Sequence, residues 1–206
     1  MNKYLTAIIA APFALVASTA APAQQASNKM DAVVQHMKSV SSMTANFTQT
    51  DGSGRSVSGK LLLKRPGHVR FEYTGDTSLL IVADGKALTM IDYAVRQVQR
   101  WPIKNSPLTA LLDPGQDLRK YGKLQPTSND KVISVEVRDP GRPEYGTMTF
   151  TFTKDASAPS GYTLYGWVAL DSKNNRTTVR LGNIKYNVAI SDKSFNWTDP
   201  RRRGRK

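Results

Sequence analysis

The sequence predicts a mainly β fold, in which one large, curled antiparallel sheet is covered on one face by helical segments. Apolar and polar residues alternate through most of the chain, the period of β-strands. Asp51-Gly52 and Asp84-Gly85 separate some of these segments, and Asp-Gly supplies the positive φ angles of tight hairpin turns. Helical signals occur only near the start and in the middle. Because a sheet of many strands curls, one of its faces needs a cover.

The first 23 residues have the layout of a cleavable secretory signal. Lys3 precedes an alanine-rich apolar run from Tyr4 to about Ala17, and Ala21-Pro22-Ala23 offers small residues for cleavage. The alternative is a retained anchor, but the run is short of the roughly 20 apolar residues of a membrane helix. We therefore expect a signal over 1–23, a folded domain over 24–200 and a basic tail over 201–206.

The first predicted element of the mature chain is an amphipathic helix over 27–42. Its apolar residues recur at helical spacing, and Ser27 or Asn28 can cap its start. The residues expected on its apolar face are Met30, Val33, Val34, Met37 and Val40.

Eleven strands are expected to follow, interrupted once by a short apolar helix. That helix is predicted over Ser106–Leu112, where Ser caps, Pro107 occupies the first helical position, and Leu108, Leu111 and Leu112 are apolar. The predicted strands lie near 44–50, 57–64, 68–73, 78–83, 87–92, 96–101, 121–125, 132–138, 146–153, 163–170 and 176–186.

The chain is strongly basic, with a formal net charge of +13 that becomes +12 once the segment containing Lys3 is removed. Five positive charges lie in the last six residues, 201–206. Export from the cytoplasm argues against a nucleic-acid partner, so we expect the tail to assist encounter with an anionic membrane surface or an acidic partner. A purely solubilising role for these charges remains open.

Candidate catalytic residues are few. The chain has no cysteine, and its two histidines, His36 and His68, belong to no recognisable catalytic or metal-binding spacing. We interpret both as ordinary surface or core residues, and we expect no enzyme activity, metal or cofactor. A lipid hydrolase is the enzyme alternative, which acyl-ester turnover would reveal.

The apolar residues give the stronger functional signal, because they share one face of successive strands. This face is either an ordinary core under helices or the wall of a cavity, and its methionines and aromatic residues suit a pocket for flexible chains. The residues expected to line it are Phe47, Leu61, Leu63, Val69, Phe71, Tyr73, Leu80, Met90, Met148, Phe150 and Phe152.

Several short motifs, taken in order, resemble the LolA family of outer-membrane lipoprotein carrier proteins. They are Ala45-Asn46-Phe47-Thr48-Gln49, Gly59-x-Leu61-x-x-Lys64-Arg65-Pro66-Gly67, Ala83-Asp84-Gly85-Lys86, Gln97-Val98, Pro107-Leu108 and Phe195-x-Trp197-x-Asp199-Pro200. The resemblance implies an unclosed half-barrel of about eleven strands, covered by a helical lid around a hydrophobic cavity for acyl chains. It also implies that Arg65 hydrogen-bonds lid carbonyls and holds the empty cavity closed.

The same resemblance implies a monomeric periplasmic chaperone. It would take lipoproteins from the inner-membrane lipoprotein-releasing ABC transporter and pass them to an outer-membrane receptor lipoprotein. The basic tail, and His68 and Val69 in place of more aromatic residues, depart from well-known members. Open alternatives are a periplasmic sensor, a carrier of another amphiphile such as a phospholipid or glycolipid, and a receptor, although a lipid-anchored receptor needs the cysteine that this chain lacks.

Overall fold

A computed structural model of the chain describes residues 22–103, 109–113 and 118–201. The helices are α1 (Pro22–Ser39), α2 (Thr109–Leu112) and α3 (Leu118–Tyr121), with short 3-10 turns at Pro143–Tyr145, Pro159–Gly161 and Asp192–Phe195. The strands are β1 (Ser42–Asp51), β2 (Ser56–Lys64), β3 (His68–Tyr73), β4 (Leu79–Asp84), β5 (Ala87–Asp92), β6 (Gln97–Pro102), β7 (Gly122–Gln125), β8 (Val132–Val137), β9 (Thr147–Lys154), β10 (Tyr162–Leu170) and β11 (Arg176–Tyr186).

All eleven strands form one antiparallel sheet, as the alternating sequence predicts. Its order is β6-β5-β4-β3-β2-β1-β11-β10-β9-β8-β7, so strands that follow each other in sequence are neighbours in the sheet except β6 and β7, and β1 also pairs with β11. That pairing joins the two halves of the sheet at its centre, with Phe47 opposite Leu181. Strands β6 and β7 end the order, and within the described residues they do not pair with each other. The sheet is therefore open.

Side chains from alternate positions build the core on one face, called the inner face below. On β1 the inner residues are Met43, Ala45 and Phe47, all buried, while Thr48 and Thr50 on the other face bond to serine hydroxyls of β2. Helices α1 and α2 contribute buried apolar residues to the same cluster. The two-residue period thus sorts apolar side chains under the helices and polar side chains outward.

Helix α1 differs from the prediction at both ends, since it spans Pro22–Ser39 instead of 27–42. Alanine and glutamine between 23 and 26 favour the helix. At the other end, Ser42 already belongs to β1, where its hydroxyl donates to the Val188 carbonyl at 2.5 Å. The chain therefore turns from helix into strand within two residues.

The C-terminal segment covers part of the opposite, outer face. Phe195 is buried there against Leu80, Val82 and Ile91. Two basic side chains of the sheet hold the segment. Lys64 Nζ donates to Asp192 Oδ1 at 2.6 Å and to the Ile190 carbonyl at 3.0 Å, and the Arg70 guanidinium donates to the Asn196 carbonyl at 3.1 Å. Strand β4 consequently carries buried side chains on both faces, with Ala83 in the inner cluster and Leu80 and Val82 under the C-terminal segment.

Candidate functional site

The inner face brings most of the predicted cavity residues into one buried cluster. Strand pairing places Leu63 opposite Val69 and Leu61 opposite Phe71. Of the predicted residues, those buried in this cluster are Phe47, Leu61, Leu63, Val69, Phe71, Tyr73, Phe150 and Phe152, and Met148 is partly buried against them. Residues from β1, β2, β3 and β9 therefore share one apolar surface, although β9 lies across the centre of the sheet from β3.

Aromatic rings dominate the middle of this surface. The Phe47 ring lies edge-on to Phe71 and Tyr73, with centroids 5.4 and 5.1 Å apart. Trp167 of β10 extends the group, 6.1 Å from Phe71 and 6.4 Å from Phe150, and was not among the predicted residues. The Tyr73 hydroxyl donates to Gln49 Oε1 at 2.7 Å, and burial raises the pKa of Tyr73 to about 12. Its proton is thus retained near neutral pH.

Two of the predicted cavity residues lie elsewhere. Leu80 pairs with Glu72 and faces outward, where it packs in the cluster with Phe195, so its placement among the cavity residues is corrected. Met90 pairs with Ile81, which itself pairs with Phe71, so the register puts Met90 on the inner face. It is only partly buried, near the β6 edge.

The predicted lid residues cover the inner face. Val33, Val34 and Met37 of α1 are buried in the inner cluster, and Met30 is partly buried against it. Leu111 and Leu112 of α2 are also buried in it. Leu108 lies outside the described residues. The helices and the sheet thus form a closed arrangement in which α1 and α2 lie over part of the inner face.

Arg65, in the turn between β2 and β3, joins helices α1 and α2 to the sheet. Its guanidinium donates to the Leu111 carbonyl through Nε at 3.0 Å, to the Val40 carbonyl through Nη1 at 2.7 Å, and to the Met37 carbonyl through Nη1. Met37 and Val40 lie at the C-terminal end of α1, where carbonyls lack helical partners and a cation is favoured. The rigid fork of donors allows one side chain to bond several carbonyls at once.

The backbone beside Arg65 reinforces these contacts. The Arg65 amide donates to the Ser41 carbonyl at 2.8 Å and the Gly67 amide to the Leu112 carbonyl at 2.9 Å. Gly67 has a φ of +78°, and a Cβ there would lie 2.5 Å from the Cα of Gly85. Glycine is therefore required where this turn meets the next one.

The charge of Arg65 is partly withdrawn from water, which matters for the stability of the closed state. Burial lowers the pKa of Arg65 to about 10, and the nearby Asp113 carboxylate opposes the shift. The side chain remains protonated at neutral pH. Its bonds to the lid are therefore those of a charged donor, which are stronger than bonds between neutral groups.

His36 is a second polar residue of the lid, and it is almost fully buried, with 2% of its surface exposed. Its Nδ1 lies 3.0 Å from the Pro159 carbonyl, and its ring packs edge-on against Phe152 and Tyr186 at 5.5 and 5.4 Å. Burial is the main cause that lowers its pKa, and the charge of Arg65 adds to the effect. His36 is therefore neutral at pH 7 and belongs to the core, one of the two readings made from the sequence.

Because His36 binds a proton less readily in the folded chain, we expect stability to fall in acid. The unfolded chain takes up the proton near pH 6.5, so the free energy of unfolding should decrease as the pH drops below that value. Denaturant unfolding at about pH 7.5, 6 and 5 would measure this loss. In His36→Asn, the part of the acid-induced loss of stability that is due to His36 should vanish. The variant His68→Asn, on the outer face, should retain that loss. An unchanged pH dependence in His36→Asn would refute the assignment.

The described residues include no group of three or more histidine, aspartate or glutamate side chains positioned to hold a metal ion. His68 lies on the outer face, where its ring packs against Phe195 with centroids 5.3 Å apart and its Nδ1 lies 2.8 Å from the Pro66 carbonyl. His36 and His68 therefore occupy opposite faces of the sheet. Among the described helices none is both long and apolar enough to cross a bilayer.

Comparison with known proteins gives one family. Residues 38–198 match the model of the family described as outer membrane lipoprotein carrier protein LolA. Proteins named outer-membrane lipoprotein carrier protein are similar over nearly the whole chain. The protein from Xanthomonas axonopodis pv. citri is 31% identical over 201 residues, covering 90% of this chain and 88% of its own. The protein from Chromobacterium violaceum is 29% identical over 196 residues, covering 91% of each chain.

Among solved structures, a LolA superfamily protein from Nitrosomonas europaea aligns with 84% of this chain and 97% of its own, at 11% identity and a TM-score of 0.47. A DUF1329 family protein from Desulfovibrio piger aligns over 84% of this chain and 97% of its own, at 12% identity and a TM-score of 0.49.

Proposed function

The chain belongs to the LolA family, and on that premise we propose that it is a carrier that shelters the acyl chains of lipoproteins between two membranes. The observation that carries the proposal is the broad apolar inner face beneath α1 and α2, with Arg65 donating hydrogen bonds to carbonyls of both helical segments. Such a face can be uncovered and covered again without unfolding the sheet. Its aliphatic and aromatic side chains suit cargo that is apolar and flexible.

The physical task is to keep acyl chains out of water. Each exposed CH₂ group costs about 0.8 kcal/mol, so a lipoprotein leaves a membrane readily only when another apolar surface receives its chains. We assign the inner residues of β1, β2, β3 and β9 to that surface. They are Phe47, Leu61, Leu63, Val69, Phe71, Tyr73, Met148, Phe150 and Phe152, with Met90 at the edge.

The lid residues then compete with the cargo for the same surface. In the closed arrangement Val33, Val34 and Met37 occupy the inner face, so acyl chains must displace α1 to reach it. We assign Arg65 as the latch that favours the closed arrangement and thereby helps the carrier to release its cargo. The carrier needs no nucleotide of its own, since energy enters where a transporter loads it.

The partners and the location follow from this role. We propose that the protein works as a monomer in the periplasm, receives lipoproteins from the inner-membrane lipoprotein-releasing ABC transporter, and delivers them to an outer-membrane receptor lipoprotein. It performs no catalysis in this scheme. The basic residues from Arg201 to Lys206 are assigned to encounters with an anionic membrane surface.

The direct test is release of lipoproteins from inner membranes. Spheroplasts from the source organism should be incubated with the purified mature protein, and the supernatant assayed for outer-membrane lipoproteins. We expect these lipoproteins in a soluble complex with the carrier, while lipoproteins resident in the inner membrane stay behind. Buffer alone and serum albumin, a general binder of acyl chains, are the controls. Release no greater than that with albumin would refute the proposed function.

A further inference from the structure

An apolar groove of about 360 Å³ opens at the side of the inner face. One wall is formed by Leu88 of β5, Trp101 of β6 and Ile103 just after β6, and the other by Met148 of β9 and Ala169 of β10. Ile103 belongs to the buried inner cluster, and Leu88 and Met148 pack against that cluster. The floor of the groove is therefore continuous with the surface assigned to acyl chains.

The groove is open although the lid is closed. Trp101 lies across from Leu88 on the inner side of the edge strand, yet 44% of its surface is exposed. The bonds from Arg65 to α1 and α2 are present in the same structure. The rim is polar, with the Asp171 carboxylate accepting from Asn175 Nδ2 at 2.7 Å. An apolar chain can thus reach the groove while its head group stays in water.

We propose that this groove is a first binding site, which receives a single acyl chain before the lid opens. The inference rests on the proposed function and adds the order of its steps. The volume is at the small end of the roughly 300–1,000 Å³ typical of ligand pockets, so it suits one chain. A chain held against Leu88 and Met148 is next to the inner face and can advance as α1 withdraws.

Testing whether the groove binds before the lid opens requires a lid that can be held closed and then released. The hydroxyl oxygens of Ser39, at the end of α1, and Ser160, in the turn between β9 and β10, are 3.3 Å apart. Since the chain has no cysteine, Ser39→Cys with Ser160→Cys introduces one pair of thiols at these neighbouring positions, which an oxidant can join as a single disulfide. The oxidised form is called the locked protein, and a reductant unlocks it.

Tryptophan fluorescence then reports where a chain binds. Trp101 lies in the groove, Trp167 is buried in the inner cluster, and Trp197 packs on the outer face. In the locked background, one protein should keep only Trp101 and another only Trp167, the rest being phenylalanine. The probe is brominated dodecyl maltoside below its micelle concentration, because bromine quenches tryptophan on contact.

We expect the probe to quench Trp101 but not Trp167 in the locked protein, and to quench both after reduction. Ala169→Phe, which fills the groove, should abolish quenching of Trp101, whereas Val168→Phe, on the outer face of the same strand, should leave it unchanged. Circular dichroism would check that both variants are folded.

Other outcomes decide against the inference. Quenching of neither tryptophan in the locked protein, with both quenched after reduction, would overturn the early site and leave the carrier function standing. Quenching of both in the locked protein would overturn the order of steps, because the interior would then be reached without lid movement. No quenching in any state would contradict the carrier function as well.

Discussion

Arg65→Leu should produce a folded protein that takes up lipoprotein but fails to pass it on. The substitution removes the donor that bonds the carbonyls of Met37, Val40 and Leu111, while the inner face keeps its apolar residues. The free energy of the open arrangement relative to the closed one is then lower, and the lid competes less strongly with bound acyl chains.

The expected size of this effect follows from the bonds that are lost. A hydrogen bond to a charged group contributes about 1.5–3 kcal/mol, and burial of the arginine charge offsets part of that gain. A net loss of about 3 kcal/mol from the closed state changes the ratio of open to closed molecules by about a hundredfold. Because the apparent affinity scales with the open fraction, retention of cargo should rise by a similar factor.

The measurement is transfer from a loaded carrier to membranes that contain the receptor. Arg70→Leu is the matched control, since Arg70 lies on the adjacent strand but bonds Glu72 and the C-terminal segment on the outer face. Arg65→Lys should be intermediate, because a single ammonium group cannot replace the planar fork. Delivery by Arg65→Leu at the wild-type rate would exclude the latch.

The number of strands and the antiparallel arrangement of successive strands could be predicted from the sequence because one face of the sheet is wet and the other is apolar, but the central pairing of β1 with β11 was not predicted. Where that contrast holds, as at Met148, Phe150 and Phe152, the period of two also predicts which residues face inward. In β4 the contrast fails, since Leu80 and Val82 are covered by Phe195, a residue more than a hundred positions away. A strand that is apolar on both faces carries no signal for its orientation, which explains the misplacement of Leu80.

Residues whose partners are distant in sequence were the hardest to interpret. His36 is buried through contacts with Pro159, Phe152 and Tyr186, none of which its local sequence suggests. The proposed role of Arg65 came from resemblance to a family, because an Arg-Pro-Gly turn alone is compatible with simple solvation. The carbonyls that it bonds lie at the C-terminal end of α1 and in α2, which are separated by about seventy residues.

The lid is consequently held at two distinct places. Arg65 fastens the end of α1 to α2 and to the β2–β3 turn, while His36, Ser39 and their partners fasten α1 to the turn between β9 and β10. These turns belong to opposite halves of the sheet, which are joined through β1 and β11. We propose that opening for cargo requires α1 to part from both halves.

The locked protein tests that requirement, and it should lose the ability to collect lipoproteins. The disulfide between positions 39 and 160 holds α1 against the sheet, so Val33, Val34 and Met37 keep the inner face covered. Because the bond is covalent, α1 cannot part from the turn between β9 and β10 while it is intact, and only molecules that escape oxidation can open. Release of lipoproteins from spheroplasts should therefore fall by a factor of about ten or more on oxidation.

Reduction of the disulfide should restore release to the level of the unmodified protein, because the two substitutions themselves leave the inner face unchanged. Ser39→Cys and Ser160→Cys alone, which cannot form the bond, are the matched controls and should be insensitive to oxidant. If the locked protein collected as much lipoprotein as the reduced one, α1 would not be the gate, and the chains would have to reach the inner face from the open edges at β6 and β7.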